Sequence, residues 1–130
     1  EVFKAGHHGS KTSSHMPLLN AIKPKNVVVT CVAGSVEYTQ IKNNTFPTQD
    51  FINRVANFTE NVYVTSVAVV EEVDDGKGGK KFVNLSHSSL NGIIVVNSTK
   101  EETKITGTNS NMILKNTNWF KENRTWPSVA

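Results

Sequence analysis

Val2-Phe3-Lys4-Ala5-Gly6-His7-His8-Gly9-Ser10-Lys11-Thr12-Ser13-Ser14 and, a short apolar segment later, Ile22-Lys23-Pro24-Lys25-Asn26-Val27-Val28-Val29-Thr30 decide how this chain folds. Glu1 to Ala5 alternates as a strand does, already under way at the first residue, which reads as the C-terminal part of a longer protein. A small, polar, glycine-flanked loop follows. Ser13 or Ser14 is placed to cap a helix running to about Ala21, with Pro17 in its first turn and Leu18, Leu19 and Ile22 as its apolar stripe. Lys23-Pro24-Lys25 stops that helix. The β-branched run Asn26–Val32 then predicts a strand buried on both faces.

Farther along, a polar loop from Gly34 to Phe46 leads to Pro47, which opens a helix to about Asn57 with Phe51, Ile52 and Val55 facing inward. Asn61–Val70 reads as a strand. Val73–Val83 reads as a hairpin around Asp74-Asp75-Gly76-Lys77-Gly78-Gly79. Ile93–Asn97 and Lys104–Gly107 read as a closing strand pair. Residues 108–130 are asparagine-rich and carry Trp119, Phe120 and Trp126, which suits a last strand or helix packed by its aromatics, or a loose tail. Strand, helix, strand, helix and then several strands give an α/β class, with helices covering at least one face of a sheet. The expected division is 1–107, with a hairpin insertion at 67–90, and an aromatic extension at 108–130.

Composition narrows the function classes. The chain has 130 residues, 37% of them hydrophobic and 19% charged, which is too apolar for a disordered chain. The longest apolar runs, Val62–Val70 and Gly92–Val96, fall well short of the roughly 20 residues of a membrane span. A net charge of +3 tolerates a polyanionic partner without demanding one. One cysteine excludes an internal disulfide and a cysteine-rich zinc finger. Cys31 lies in the apolar run Val27–Val32 and reads as a small core residue.

The histidine loop is where chemistry is expected. Loops at strand ends of α/β sheets are held by a rigid scaffold and gather ligands. Adjacent histidines on an extended backbone point to opposite sides, so one is suited to bind a metal while its neighbour supports it or meets substrate. Gly6 and Gly9 allow close backbone approach to an ion or phosphate. Lys11 and the hydroxyls, with the following helix N-terminus, suit an anion. The plain alternative is a solvated loop with no such task.

The string from Val2 to Thr30 resembles the metallo-β-lactamase-fold hydrolases, most of all the ComEC-type competence-protein domain, in which a strand runs into Gly-His-His-Gly-Ser-Lys-Thr-Ser. The likeness is specific to about Val32, continues weakly to Val96 and lapses in Val67–Leu90 and after Gly107. It implies the C-terminal half of a four-layer αββα sandwich with one or two zinc ions, or manganese or iron. There a metal-activated hydroxide cleaves esters or phosphodiesters, nucleic acid among them. It places a metal-ligand histidine on this loop, at His7 by the pattern His-x-Gly-Ser, with His8 supporting it or facing substrate; the two could be exchanged. Ser10 and Lys11 would then meet the scissile phosphate. The family's His-x-His-x-Asp-His motif is absent from this chain. The remaining ligands, and so the partner, are therefore expected in an N-terminal half of the same domain, and the piece alone is expected to be inactive. Relatives often carry histidine before the second helix's proline, where this chain has Phe46.

Other candidates read as structural. His15 sits at a helix start, His87 in a polar loop, and Tyr38 as a packing aromatic within reach of the site mouth. Asp74-Asp75 is a turn without calcium-loop spacing. Lys77, Lys80 and Lys81 form a basic tip that guards an edge, or meets phosphates. A second class of function is a relative that kept the fold, lost the chemistry and binds nucleic acid or a protein. The expected setting is soluble and cytoplasmic, with no membrane segment in this piece.

Overall fold

The computed structural model describes residues 1–128. It is mixed α/β, with β1 (Val2–Lys4), α1 (Met16–Ile22), β2 (Asn26–Ala33), α2 (Gln49–Val55), β3 (Val62–Asp74), β4 (Lys80–Ser89), β5 (Ile94–Ser98), β6 (Thr103–Gly107) and α3 (Asn118–Asn123) in order. One sheet runs β1-β2-β3-β4, and β5-β6 stand apart as an antiparallel pair. β1, β2 and β3 are parallel, joined through α1 and α2, while β4 returns antiparallel on the outer edge.

Alternation decides which side chains meet the helices. Val27 and Val29 on β2 and Val62 and Val64 on β3 share a fully buried cluster with Leu19, Phe51, Ile52 and Val55. Each such side chain contributes about 1.5–3 kcal/mol by leaving water. Thr48 caps α2, its hydroxyl accepting from Phe51 N at 3.3 Å. The opposite face, with Val2, Val28, Thr30 and Thr65, opens into a largely apolar hollow of about 590 Å³ bordered by Ile93, Ile94 and Val96. Among the described residues, no helix is long and apolar enough to cross a membrane.

Several boundaries differ from expectation. α1 starts at Met16, and neither Ser13 nor Ser14 caps it, because Ser14 takes a left-handed turn (φ 55°) and His15 occupies the cap position. Leu18 is half exposed, and Met16 packs beside Leu19 instead. The strand expected at Asn61–Val70 and the hairpin expected at Val73–Val83 merge into one long ribbon. The expected turn closes it, with Asp75 Oδ1 accepting from Lys77 N (2.7 Å) and Gly79 N (3.1 Å). Those donors hold the Asp75 carboxyl below its usual range. The tail packs by its aromatics as a helix. Leu114 and Phe120 join the core, and the Trp119 indole lies against Gly34, where any Cβ would collide with it.

Candidate functional site

The site begins where β1 stops. In a parallel pair, every second carbonyl of β2 points toward β1. Val28 O receives Ala5 N at 2.9 Å, the last such bond. The next carbonyl, Thr30 O, has no strand opposite it and accepts from His8 Nδ1 at 2.5 Å. A carbonyl can only accept, so Nδ1 carries a proton, and in the neutral imidazole Nε2 is then the lone-pair nitrogen. On its other side β2 bulges between Val29 and Val32. The Thr65 hydroxyl fills the gap, accepting from Cys31 N (3.2 Å) and donating to Cys31 O (2.8 Å). Bulges of this kind re-aim side chains beside sites.

The loop is a left-handed turn, contrary to the extended backbone expected. His7 (φ 40°), His8 (φ 54°) and Gly9 (φ 78°) are consecutive left-handed residues. Both imidazoles therefore face Phe46, with ring centroids 5.3 Å (His7) and 6.1 Å (His8) from it. For residues other than glycine this backbone costs about 1–2 kcal/mol each, so something must hold it. Ser10 N donates back to His7 O, and Ser13 Oγ donates to Gly6 O at 2.8 Å. Arg54, on α2, donates Nε to Ser14 O (3.1 Å) and Nη2 to Ser13 O (2.6 Å), Lys11 O (3.0 Å) and Ser10 O (3.3 Å). Gly9 serves packing more than ligand approach, since a Cβ there would lie 2.8 Å from Pro47 Cβ. Its carbonyl accepts from Thr48 N at 2.9 Å, docking the loop on the start of α2.

Phe46 is central to the site wall. Its carbonyl accepts from Gly34 N at 3.0 Å. Arg124, beyond α3, donates to Pro47 O (3.1 Å) and Thr45 O (2.9 Å) on either side of it. Burial draws the Arg124 guanidinium below its ordinary pKa. Tyr38, 70% exposed, stands 6.1 Å from Phe46 ring to ring. A cleft of about 290 Å³ lies on one side, lined by His8, Cys31, Val32, Glu37, Tyr38 and Phe46. A second, of about 270 Å³, holds His7, Ser10, Lys11, Thr12, Tyr38 and Thr48 around the same Phe46.

The candidate residues thus distribute unevenly. His7, His8 and the exposed Lys11 reach the clefts, and Ser10, though it borders the second cleft, is buried, its hydroxyl near Thr12 Oγ1 at 3.4 Å. Cys31 is packed against the core on the cleft wall, and burial pushes its thiol up to about 12, far from a reactive thiolate. His15 is exposed at the start of α1. His87 lies within β4 opposite Ala68 and not in a loop, because the ribbon is longer than its sequence signals suggested. Sequence reading missed Arg54 and Arg124. A lone arginine on an amphipathic helix and another in a polar tail carry no local mark of a distant carbonyl partner.

A catalytic zinc takes three protein ligands. Among the described residues no group of three or more His, Cys, Asp or Glu side chains is placed to hold a metal. His8 fits as one ligand, since a ligating histidine ordinarily donates its other ring nitrogen to a carbonyl or carboxylate. Among the described residues His7 has no such ring bond. Among the described residues a metal would therefore find one or two imidazoles here and not a whole site. Comparison with protein-family profiles, curated proteins and solved structures finds no match to this chain.

Proposed function

We propose that this chain is the C-terminal part of a metal-dependent hydrolase with the αββα sandwich of the metallo-β-lactamase superfamily, acting on a phosphodiester or another ester. The observation that carries the reading is His8, held by Thr30 O at the end of a parallel strand with Nε2 free. A ligating histidine ordinarily donates its other ring nitrogen in this way, which supports His8 as the ligand and His7 as the substrate-facing group, the exchange the sequence left open. The open apolar sheet face around Val2, Val28 and Ile94 suits a second sheet packed there, one that would carry the missing ligands. When bound, zinc, manganese or iron would supply an activated water and polarise the ester. Lys11 would bind the anionic oxygens, while Phe46 and the buried Ser10 would shape the pocket and keep water out.

One observation favours a second reading, a fold that has kept its shape and lost its chemistry. Phe46 stands against both imidazoles where relatives often carry histidine, and a phenyl ring neither ligates nor transfers protons. Hydrolysis of bis(p-nitrophenyl) phosphate by the full-length protein separates the two. The hydrolase reading expects turnover that a chelator removes and zinc or manganese restores, lost in His8→Ala and retained in His87→Ala. Absence of turnover under every metal, with salt-sensitive nucleic-acid binding intact, would sink it.

A further inference from the structure

Tyr38 is 70% exposed, yet its backbone is pinned on both sides. Before it, Val36 N donates to Asn84 Oδ1 at 3.0 Å and Asn84 Nδ2 donates to Ser35 Oγ at 2.9 Å. After it, Gln40 Nε2 donates to Phe82 O at 2.9 Å and receives Phe82 N on Oε1 at 2.7 Å. All these contacts fall on β4, whose outer edge would otherwise present bare N–H and C=O groups. The Gln40 amide thus copies one step of a strand ladder, and Lys42 Nζ adds a contact 4.6 Å above the Phe82 ring. A ribbon that is largely solvated therefore holds the arch Glu37–Thr39 over the cleft.

The arch carries an aromatic ring that is largely exposed at the mouth of the cleft. Phe46, tilted 39° to Tyr38, stands beside it, and the His8 imidazole, Val32 and Cys31 line the cleft beyond. Three aromatic residues, Tyr38, Phe46 and His8, line the space with Val32 and Cys31, and Glu37 and Ser35 complete its rim. Aromatic side chains carried on a backbone tied down on both sides are what a stacked ring needs. We propose that this cleft binds a planar aromatic group stacked on Tyr38 beside Phe46, and that the Gln40 and Asn84 clamps on the β3–β4 ribbon set the position of Tyr38. The proposal names a substrate class for the hydrolase reading, an aryl-bearing ester with its scissile group toward His8. It rests on that reading for the ester alone.

Binding is measured apart from turnover, on the full-length protein, by calorimetric titration with phenyl phosphate and with methyl phosphate. The two share an anionic group and differ in the ring. Phenyl phosphate is expected to bind about tenfold more tightly. Tyr38→Ala is expected to abolish that preference and Tyr38→Phe to keep it. Gln40→Ala is expected to weaken phenyl phosphate about threefold and leave methyl phosphate unchanged, since Gln40 acts through Tyr38. No binding of phenyl phosphate, equal binding of both ligands, or an unaltered preference in Tyr38→Ala overturns the stacking site. An unaltered preference in Gln40→Ala overturns the clamp. Ring preference without ester turnover would remove the hydrolase reading and leave this one, and turnover without ring preference would do the reverse.

Discussion

Replacing Arg54 with alanine withdraws one guanidinium from the carbonyls of Ser10, Lys11, Ser13 and Ser14 together. Nη2 has two protons for three acceptors, so the strong bonds are those to Ser13, Lys11 and, through Nε, Ser14. A hydrogen bond from a charged donor contributes about 1.5–3 kcal/mol. Arg54 is only partly buried, and water can replace some of what it gives. A net loss of about 2–4 kcal/mol follows. The loss should concentrate in the loop, because left-handed His7, His8 and Ser14 are what the clamp holds. Urea unfolding gives the global figure, and hydrogen exchange at the Ser10 and Ser13 amides gives the local one. Arg54→Lys, a point donor in place of a fork, should recover less than half. A change within about 0.5 kcal/mol, with exchange at Ser10 and Ser13 unaltered, would show that the loop holds itself and that Arg54 is incidental.

Gly9→Ala should cost about 2 kcal/mol or more by denaturant unfolding, combining left-handed strain with the Pro47 contact. Gly76→Ala, with a similar φ of +77° and nothing within 4 Å, should cost only the strain of about 1 kcal/mol. Equal losses would show that the Pro47 contact costs nothing. Phe51→Ala, fully buried, should lose about 3–5 kcal/mol in the same assay. Cys31 should resist iodoacetamide in the folded protein well above pH 9 and react on unfolding. Because its folded pKa is raised to about 12, its contribution to stability is intact below the unfolded value near 9 and is lost as pH climbs from there toward 12. Rapid alkylation of folded protein at pH 9 would contradict this. Arg124→Met should loosen Lys42–Pro47, read as faster exchange at Thr45 N, while the Val27–Val29 amides stay protected.

Periodicity made the scaffold legible. Val27–Val29, Phe51, Ile52 and Val55 occupy the core the sequence assigned to them, and the Asp74–Gly79 turn lies where glycines and aspartates placed it. Local chemistry misplaced the start of α1, since nothing in Ser13-Ser14-His15 marks which residue turns left-handed. The ribbon runs on through Glu71 and Glu72, which pair with Val83 and Phe82, because an exposed hairpin tolerates charge on both faces. At the site, adjacency of His7 and His8 was visible but their geometry was not. Opposed rings follow from an extended chain, and the chain there is left-handed, leading into the Ser10–Ser14 carbonyls that Arg54 binds from far along the sequence. Tyr38 reaches the cleft through amide contacts to Phe82 and Asn84 that no local pattern encodes.

Metal content of the full-length protein, measured by elemental analysis in wild type, His7→Ala and His8→Ala, bears most directly on the assignment of this loop. The account predicts about one or two zinc, manganese or iron ions per wild-type chain. It predicts that occupancy falls sharply in His8→Ala, whose ring is anchored on Thr30 O, and less in His7→Ala. A metal-free wild-type protein, or full occupancy in His8→Ala, would contradict it.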